Sequence, residues 1–440
     1  MSTLSPTVPP VYFEPPNRGF MSDVEPSRKG FITNYPNFQH WKKIAAPDLS
    51  PNLPLVIYVH IPFCIQRCSY CYYRTFNLKG NERSEILEKY VAALCHEIEM
   101  AAEYFDLKQR PVTSIYFGGG TPTLLEEHQF HKIMESLHTH LNLKNNPEFT
   151  VEAEPVTLTQ RKADILKGIK VNRISMGVQS LNDDIIKQSK RLDTEKKALK
   201  AIEIARNTAE VVNIDLLSGL AGETPETWAY SVKRALETEV DSITVYKMEL
   251  YANTDYYKEL RTNTVQLPSD EEELKFMDSA LTEFAQAQYL PWSFFTFTKA
   301  GRYPHLYAVS IWQGTDLYPF GLSAFGSLGD WAFQNTNELD KYLASLEANE
   351  LPIHRGYCLT PLDRIIRTVL LEMKLVRLNL RRFQSTYGFK LQSLCGGAIQ
   401  QLEAEGFITV SEDELSMTRK GMLYGDYVGK KLAKSLMAMY

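Results

Sequence analysis

Three of the six cysteines in this 440-residue chain, Cys64, Cys68 and Cys71, fall close together in the spacing Cys-x3-Cys-x2-Cys. Thiolates are soft ligands that suit iron–sulfur clusters, zinc or copper(I). A structural zinc site closes its shell with four protein ligands. Cys95, Cys358 and Cys395 stand alone in helical or turn contexts, where a thiol packs as a small hydrophobe. Three thiolates by themselves leave one iron of a [4Fe–4S] cluster open to a small molecule. His60 is close in sequence but lies at the end of the preceding apolar run, where orienting its neighbours is its simplest role.

The rest of the composition narrows the setting. At 44% hydrophobic and 23% charged residues the chain is an ordinary globular polymer, long enough for two or three domains. A net charge of -5 gives no general pull towards nucleic acid or an anionic membrane. Six cysteines are too few for a disulfide scaffold. The first 20 residues, rich in Pro and Ser, read as an extended arm with no signal-peptide core. No apolar run is long enough to span a bilayer. A reducing cytoplasm is therefore the expected compartment, where clustered cysteines serve metal or redox chemistry.

The elements that must position the cysteines alternate. Strands are expected at 55–59, 114–117, 148–152, 173–178, 211–217 and 242–246 from their short β-rich runs. Helices are expected at about 83–106, 125–141, 159–168, 195–207 and 225–237 from apolar residues at helical spacing. Six such units predict an α/β fold, a partial (β/α)6 TIM-like barrel with right-handed crossovers. Active residues of such barrels lie where strands end, and Cys64 directly follows the first strand. No G-x-G-x-x-G follows that strand and no Walker loop is present. The chain divides into an arm (1–50), a core barrel (51–265), an extension with a Gly-rich loop (266–350) and a mainly helical, winged-helix-like module (351–440). The last is expected to pack or to close over the substrate.

The segment from Tyr58 to Cys71 resembles the radical S-adenosylmethionine (SAM) signature of the oxygen-independent coproporphyrinogen III oxidase-like, or HemN-like, group. The likeness continues through 118–123, 152–155, 173–180, 215–222 and the loop 321–326, in the family's order. It implies a [4Fe–4S] cluster on Cys64, Cys68 and Cys71 whose open iron binds SAM. One electron then cleaves SAM to methionine and a 5′-deoxyadenosyl radical. The resemblance places Gly118, Gly119, Gly120 and Thr121 against the methionine part of SAM, where glycines let backbone approach a ligand closely. Glu152 is carried over as a partner of the ribose. Gln179, Arg191 and Asp215 line the SAM pocket, Arg191 offering a fork for a carboxylate or else lying on a helix surface. Tyr58 and His60 share a strand face and stand near the cluster or pack inside the barrel. Gly321 and Ala324 belong to the segment that helps hold a second SAM in part of the group, with an ordinary turn as the alternative. No catalytic side chain beyond the cluster is assigned.

Within the group the signature departs from the dehydrogenases, which carry a cysteine where this chain has Tyr73. The short heme chaperones lack the Tyr-Pro segment found here at 35–36. The resemblance therefore points first to class C methyl or methylene transfer onto an sp2 carbon of an aromatic or unsaturated small molecule. Coproporphyrinogen oxidase-like chemistry and heme chaperoning are the alternatives. A reducing donor such as flavodoxin or ferredoxin is implied, and no nucleic acid. His305 and His354 read as surface residues. Tyr303, Tyr307, Trp312 and Trp331 are candidates to stack on a flat substrate or to fill a core.

Overall fold

Leu55–Ile61 (β1) is a run of aliphatic and aromatic residues in which Tyr58 alone is not fully buried. The computed structural model describes Pro26, Gly30, Ile32 and residues 34–43, 54–78, 82–143 and 146–438. The arm's first 20 residues lie outside the described residues. After β1 follow Val112–Gly119 (β2), Glu148–Ala153 (β3), Arg173–Gln179 (β4), Val211–Ser218 (β5) and Ser242–Lys247 (β6). Each is parallel to the one before it. The helices between them are Glu82–Tyr104 (α1), Glu127–His140 (α2), Gln160–Gly168 (α3), Asp183–Gln188 (α4), Glu195–Arg206 (α5) and Pro225–Glu237 (α6). The fold is a TIM-like partial barrel.

Local chemistry starts these helices where the chain must turn. Thr159, Asn182, Thr194 and Thr224 each accept a hydrogen bond from a backbone N–H in the first turn, and Pro225 pre-sets the backbone at the start of α6. The helices bury one face against the outward side chains of the strands, including Ile57, Val59, Ile115, Phe117, Val151, Ile174 and Ile214. The inward positions are polar or aromatic instead, and that asymmetry makes the barrel lumen a site.

Beyond the six units the sheet grows at both edges. Tyr289–Pro291 (β7) and Thr296–Lys299 (β8) extend it antiparallel from β6, while Asp316–Phe320 (β9) joins β1 as a further parallel strand. Phe325–Leu328 (β10), Trp331–Asn335 (β11) and Ile353–Cys358 (β12) continue from β9, giving twelve strands in all. The alternation pattern does not announce β9, because Pro319 interrupts it; Pro319 pairs with Tyr58. Asp255–Arg261 (α7), Asp270–Gln286 (α8) and Leu306–Trp312 (α9) complete this region. The aromatic run from Trp292 to Trp331 is thus built into short strands and α9.

The C-terminal module has its own core of Ile366, Val369, Leu370, Phe383, Phe407, Val428 and Leu432. A three-stranded sheet of Arg377–Asn379, Glu414–Met417 and Ile408–Val410 stands beside its helices, which is the winged arrangement read from the sequence. Ile32 and Tyr35 from the arm, and Phe294 and Phe295 from beside β8, enter the same core. The module is therefore stitched to the barrel. Among the described residues no helix is long and apolar enough to cross a membrane.

Candidate active site at the C-terminal end of the barrel

The cysteine loop is held by backbone before any cofactor acts on it. Phe76 N–H donates to the Pro62 carbonyl at 2.8 Å and Leu78 N–H to the Cys64 carbonyl at 3.0 Å, so the ends of the loop meet. Cys71 N–H closes a turn on the Cys68 carbonyl at 3.1 Å. Arg67 donates through Nη2 and Nε to the Cys71 carbonyl at 2.7 and 3.2 Å. Ser69 N–H reaches the Ser189 carbonyl, and Tyr256 N–H the Ser69 carbonyl. Two other segments therefore clamp the loop.

All three cysteines are free thiols that line one cavity of about 490 Å³, a volume within the range of small-molecule sites. Burial pushes the Cys64 thiol up to about 12 and the Cys68 thiol up to about 11, and raises Cys71 as well. The Thr121 hydroxyl, 3.6 Å from Cys64 Sγ, and the Arg191 guanidinium, 3.8 Å from Cys68 Sγ, oppose that rise. Thiols so buried ionise only with a cation to hold them. Among the described residues no three His, Cys, Asp or Glu side chains are gathered closely enough for a single metal ion. The donor set is three soft thiols on one loop, which suits an iron–sulfur cluster with one open iron.

The glycine turn at the end of β2 has a reason different from ligand approach alone. A Cβ at Gly119, whose φ is +111°, would stand 2.4 Å from the His60 ring. At Gly120 it would stand 2.6 Å from the Phe63 carbonyl, and at Gly118 2.9 Å from the Glu152 carboxylate. Gly120 N–H and Thr121 N–H donate to the Ile61 and Phe63 carbonyls, both at 2.8 Å. The turn is thus locked against the strand that delivers Cys64.

Buried charges form the wall beside it. Glu152 accepts from the Tyr116 hydroxyl at 2.6 Å and from Gly119 N–H at 2.9 Å. Glu154, two residues on and on the same strand face, receives Arg191 Nη2 at 2.5 Å. Arg191 also donates to Asp193, to the Tyr70 hydroxyl and to the Gly177 carbonyl. It is not a helix-surface residue: its side chain is 3% exposed. Burial pushes Glu154 up to about 7, with Arg191 opposing, and Asp215 up to about 7, reinforced by Glu152 and opposed by Asn213. Gln179 stands at the end of β4 with φ +67°, where the pairing with β5 is irregular. Acidic groups beside the committed Arg191 guanidinium suit a ligand carrying a sulfonium, an ammonium and ribose hydroxyls.

Cys64, Cys68, Cys71, Gly119, Gly120, Thr121, Glu152, Gln179, Arg191 and Asp215 line the same cavity. Tyr58 and Gly118 lie behind its wall. The Tyr58 hydroxyl is 2.9 Å from His60 Nδ1, and its ring is stacked on Tyr116. Gly321 and Ala324 do not line the cavity. Gly321 N–H donates to buried Glu97 at 2.8 Å, and Ala324 is 2% exposed. His305 is no surface residue either: it lines the cavity 3.5 Å from Glu148, and burial holds its ring neutral by lowering its pKa. His354 is exposed. Of the four aromatic candidates, Tyr307 and Trp312 line the cavity, whereas Trp331 is buried against Phe333 and Tyr303 lies outside.

Sequence reasoning gave no role to Glu154, Tyr116 and Arg173 and placed His305 on the surface. The period-two pair Glu152–Glu154 was a usable signal. No local signal marks His305, which reaches the site only because α9 closes the gap beside β2.

Comparison with known proteins agrees with this architecture. Residues 58–235 match the radical SAM superfamily model and residues 359–424 the HemN C-terminal domain. Anaerobilin synthase of Escherichia coli O157:H7 is 30% identical over 326 residues, 72% of this chain and 70% of that protein. Heme chaperone HemW of Bacillus subtilis (strain 168) is 28% identical over 374 residues, 84% and 97% of the two chains. Among solved structures, coproporphyrinogen III oxidase (HemN) of Escherichia coli superposes with a TM-score of 0.80 at 24% identity, covering 93% of this chain and 98% of its own. The fold and site define a radical SAM barrel. The chain belongs to the radical SAM superfamily, in its HemN-like group, and its cofactors are a [4Fe–4S] cluster and SAM.

Proposed function

We propose that this protein is a radical enzyme that removes a hydrogen atom from a flat, porphyrin-like substrate. The observation that carries the reading is one cavity in which the cluster cysteines and the SAM-type residues share space with aromatic walls. Tyr246, Phe295, Trp312 and Trp292 form a chain of ring contacts along one side of that cavity, each pair 5.4–5.7 Å apart. Each relative's name carries a tetrapyrrole: heme, a bilin or coproporphyrinogen. None of the three names a methyl transfer, and Gly321 and Ala324, on which a second SAM would depend, stand outside the cavity. The preferred chemistry is therefore hydrogen abstraction of the oxidase kind, with heme chaperoning as the non-catalytic alternative.

The cluster, with SAM on its open iron, supplies one-electron cleavage of the sulfonium bond. The chain's own residues do the rest. Cys64, Cys68 and Cys71 would hold three irons. The backbone of Gly119–Thr121 and the carboxylates of Glu152 and Asp215 would hold SAM, and Arg191 would set Glu154 and Cys68 relative to it. Trp292, Phe294 and Trp312, with Gly425 and Asp426 of the C-terminal module, line the same cavity and would exclude water around a bound substrate. A flavodoxin- or ferredoxin-like donor in the cytoplasm would supply the electron.

The test is anaerobic reconstitution with iron and sulfide, followed by dithionite, SAM and a flat tetrapyrrole, either coproporphyrin III or heme. The expected result is 5′-deoxyadenosine that rises with tetrapyrrole, without S-adenosylhomocysteine. Tight heme binding with no deoxyadenosine would replace the enzyme reading with the chaperone. Equal yields of both nucleosides would restore methyl transfer. Cys64→Ala, Cys68→Ala and Cys71→Ala should each lose the cluster; full iron content in all three sinks the ligand assignment.

A further inference from the structure

Two residues after the last cluster cysteine the chain places an aromatic ring half in the open. Tyr73 is 50% exposed, among the most exposed large apolar side chains described. It is not a stray surface ring. Its plane is stacked on Tyr72, centroids 4.4 Å apart at 25°, and Tyr72 meets Tyr251 at 4.3 Å and 33°. The three rings form a ladder, and all three line the cavity that holds Cys64, Cys68 and Cys71. Among the described residues Tyr72 is the one ring that contacts Tyr73. Tyr73, at the outer end of the ladder, is therefore half exposed where it lines the site.

The ladder is built rather than incidental, because backbone contacts fix its base. Asn253 Nδ2 donates to the Tyr72 carbonyl at 2.9 Å, and Arg67 Nη2 bridges the Cys71 and Asn253 carbonyls at 2.7 and 3.1 Å. Thr254 returns its hydroxyl and its N–H to the Tyr251 carbonyl at 2.6 and 3.0 Å. The two strands of chain carrying the rings are tied to each other beside the third cysteine. A ring held this way loses little freedom when a planar ligand stacks on it, so its area becomes affinity.

We propose that Tyr73, backed by Tyr72 and Tyr251, is the stacking platform for the flat substrate and selects a planar, π-rich ligand at the cavity. This rests on the porphyrin-like reading above and deepens it. The rings supply dispersion and π contacts, which distinguish a planar macrocycle from a saturated or puckered molecule of the same size. Offset stacking on the exposed part of Tyr73 would seat that macrocycle next to the SAM pocket, within reach of the chemistry.

The experiment uses the reconstituted holoenzyme with SAM bound and coproporphyrin III as the planar probe, read by quenching of porphyrin fluorescence. Wild type should bind, Tyr73→Phe should bind within about twofold, and Tyr73→Ala should bind at least tenfold more weakly. Iron content and SAM affinity should be equal in all three. A macrocycle stacked on Tyr73 also shifts that residue's ring protons strongly upfield, a signature that a purely structural role does not produce. Equal binding by Tyr73→Ala, or no ring-proton shift in the complex, overturns the platform while leaving the porphyrin-like reading intact. Failure of the wild type to bind overturns that reading and the platform together.

Discussion

Glu97 is a carboxylate with 0% exposure in the middle of α1, far in sequence from any motif. It accepts hydrogen bonds from Gly321 N–H at 2.8 Å, Asn335 Nδ2 at 2.6 Å and the Tyr342 hydroxyl at 2.6 Å. Burial nevertheless pushes it up to about 7, the three donors only partly opposing. The folded state therefore binds a proton more tightly than the unfolded chain. Its contribution to stability is complete below the unfolded value near 4.5 and is lost as pH rises through about 7. The shift corresponds to about 3 kcal/mol. Thermal midpoints measured from pH 5 to 8 should fall across that window, and Glu97→Gln should flatten the fall. An unchanged slope in the variant would assign the pH dependence to other groups. The same contacts explain why Gly321 looked like a cofactor residue in the sequence: a backbone N–H with no Cβ beside it serves a buried carboxylate as readily as a ligand.

At the scale of elements, the join between β1 and β2 decides whether the cysteines are presented correctly. His60 and Ile61 are paired with Gly118 and Gly119 in register, and Gly120 continues onto the Ile61 carbonyl. Gly120→Ala would drive a methyl into the Phe63 backbone, which cannot yield without moving Cys64. Overpacking of this kind costs about 1–3 kcal/mol. The expected phenotype is a folded protein with a lowered unfolding midpoint and less than half the iron per chain after reconstitution. Iron content equal to wild type would show that the loop tolerates displacement. The glycines, the cysteines and the strand alternation were all legible from local pattern, since each depends on residues a few positions apart. Helix α9 and strand β9 were not. Pro319 hides the alternation of β9, and seven residues of α9 are too few to show a helical period.

For the whole molecule the telling contact joins arm, module and cavity. Buried Lys374 donates to Asp426 Oδ1 at 2.9 Å, Ile32 N–H donates to Asp426 Oδ2 at 2.7 Å, and Asp426 itself lines the cavity. Asp426→Ala leaves a 1%-exposed ammonium without its carboxylate. Removing one partner of a buried pair costs about 3–5 kcal/mol. Calorimetry should show the C-terminal module melting earlier, and limited proteolysis should cleave it first. SAM turnover without substrate should rise as the cover loosens. A single unshifted transition would mean that the module is held by its apolar core alone. The sequence by itself determined the cluster chemistry, the strand–helix alternation and membership of a radical SAM group, because ligand spacing and period are properties of neighbouring residues. Only the tertiary structure decided that Gly321 serves Glu97 and Ala324 is buried away from the cavity, that His305 and Tyr307 face the site, and that Tyr73 stacks on Tyr72 with Tyr251 in contact behind it. Those outcomes depend on which distant segments are brought together by packing, and no local pattern encodes that.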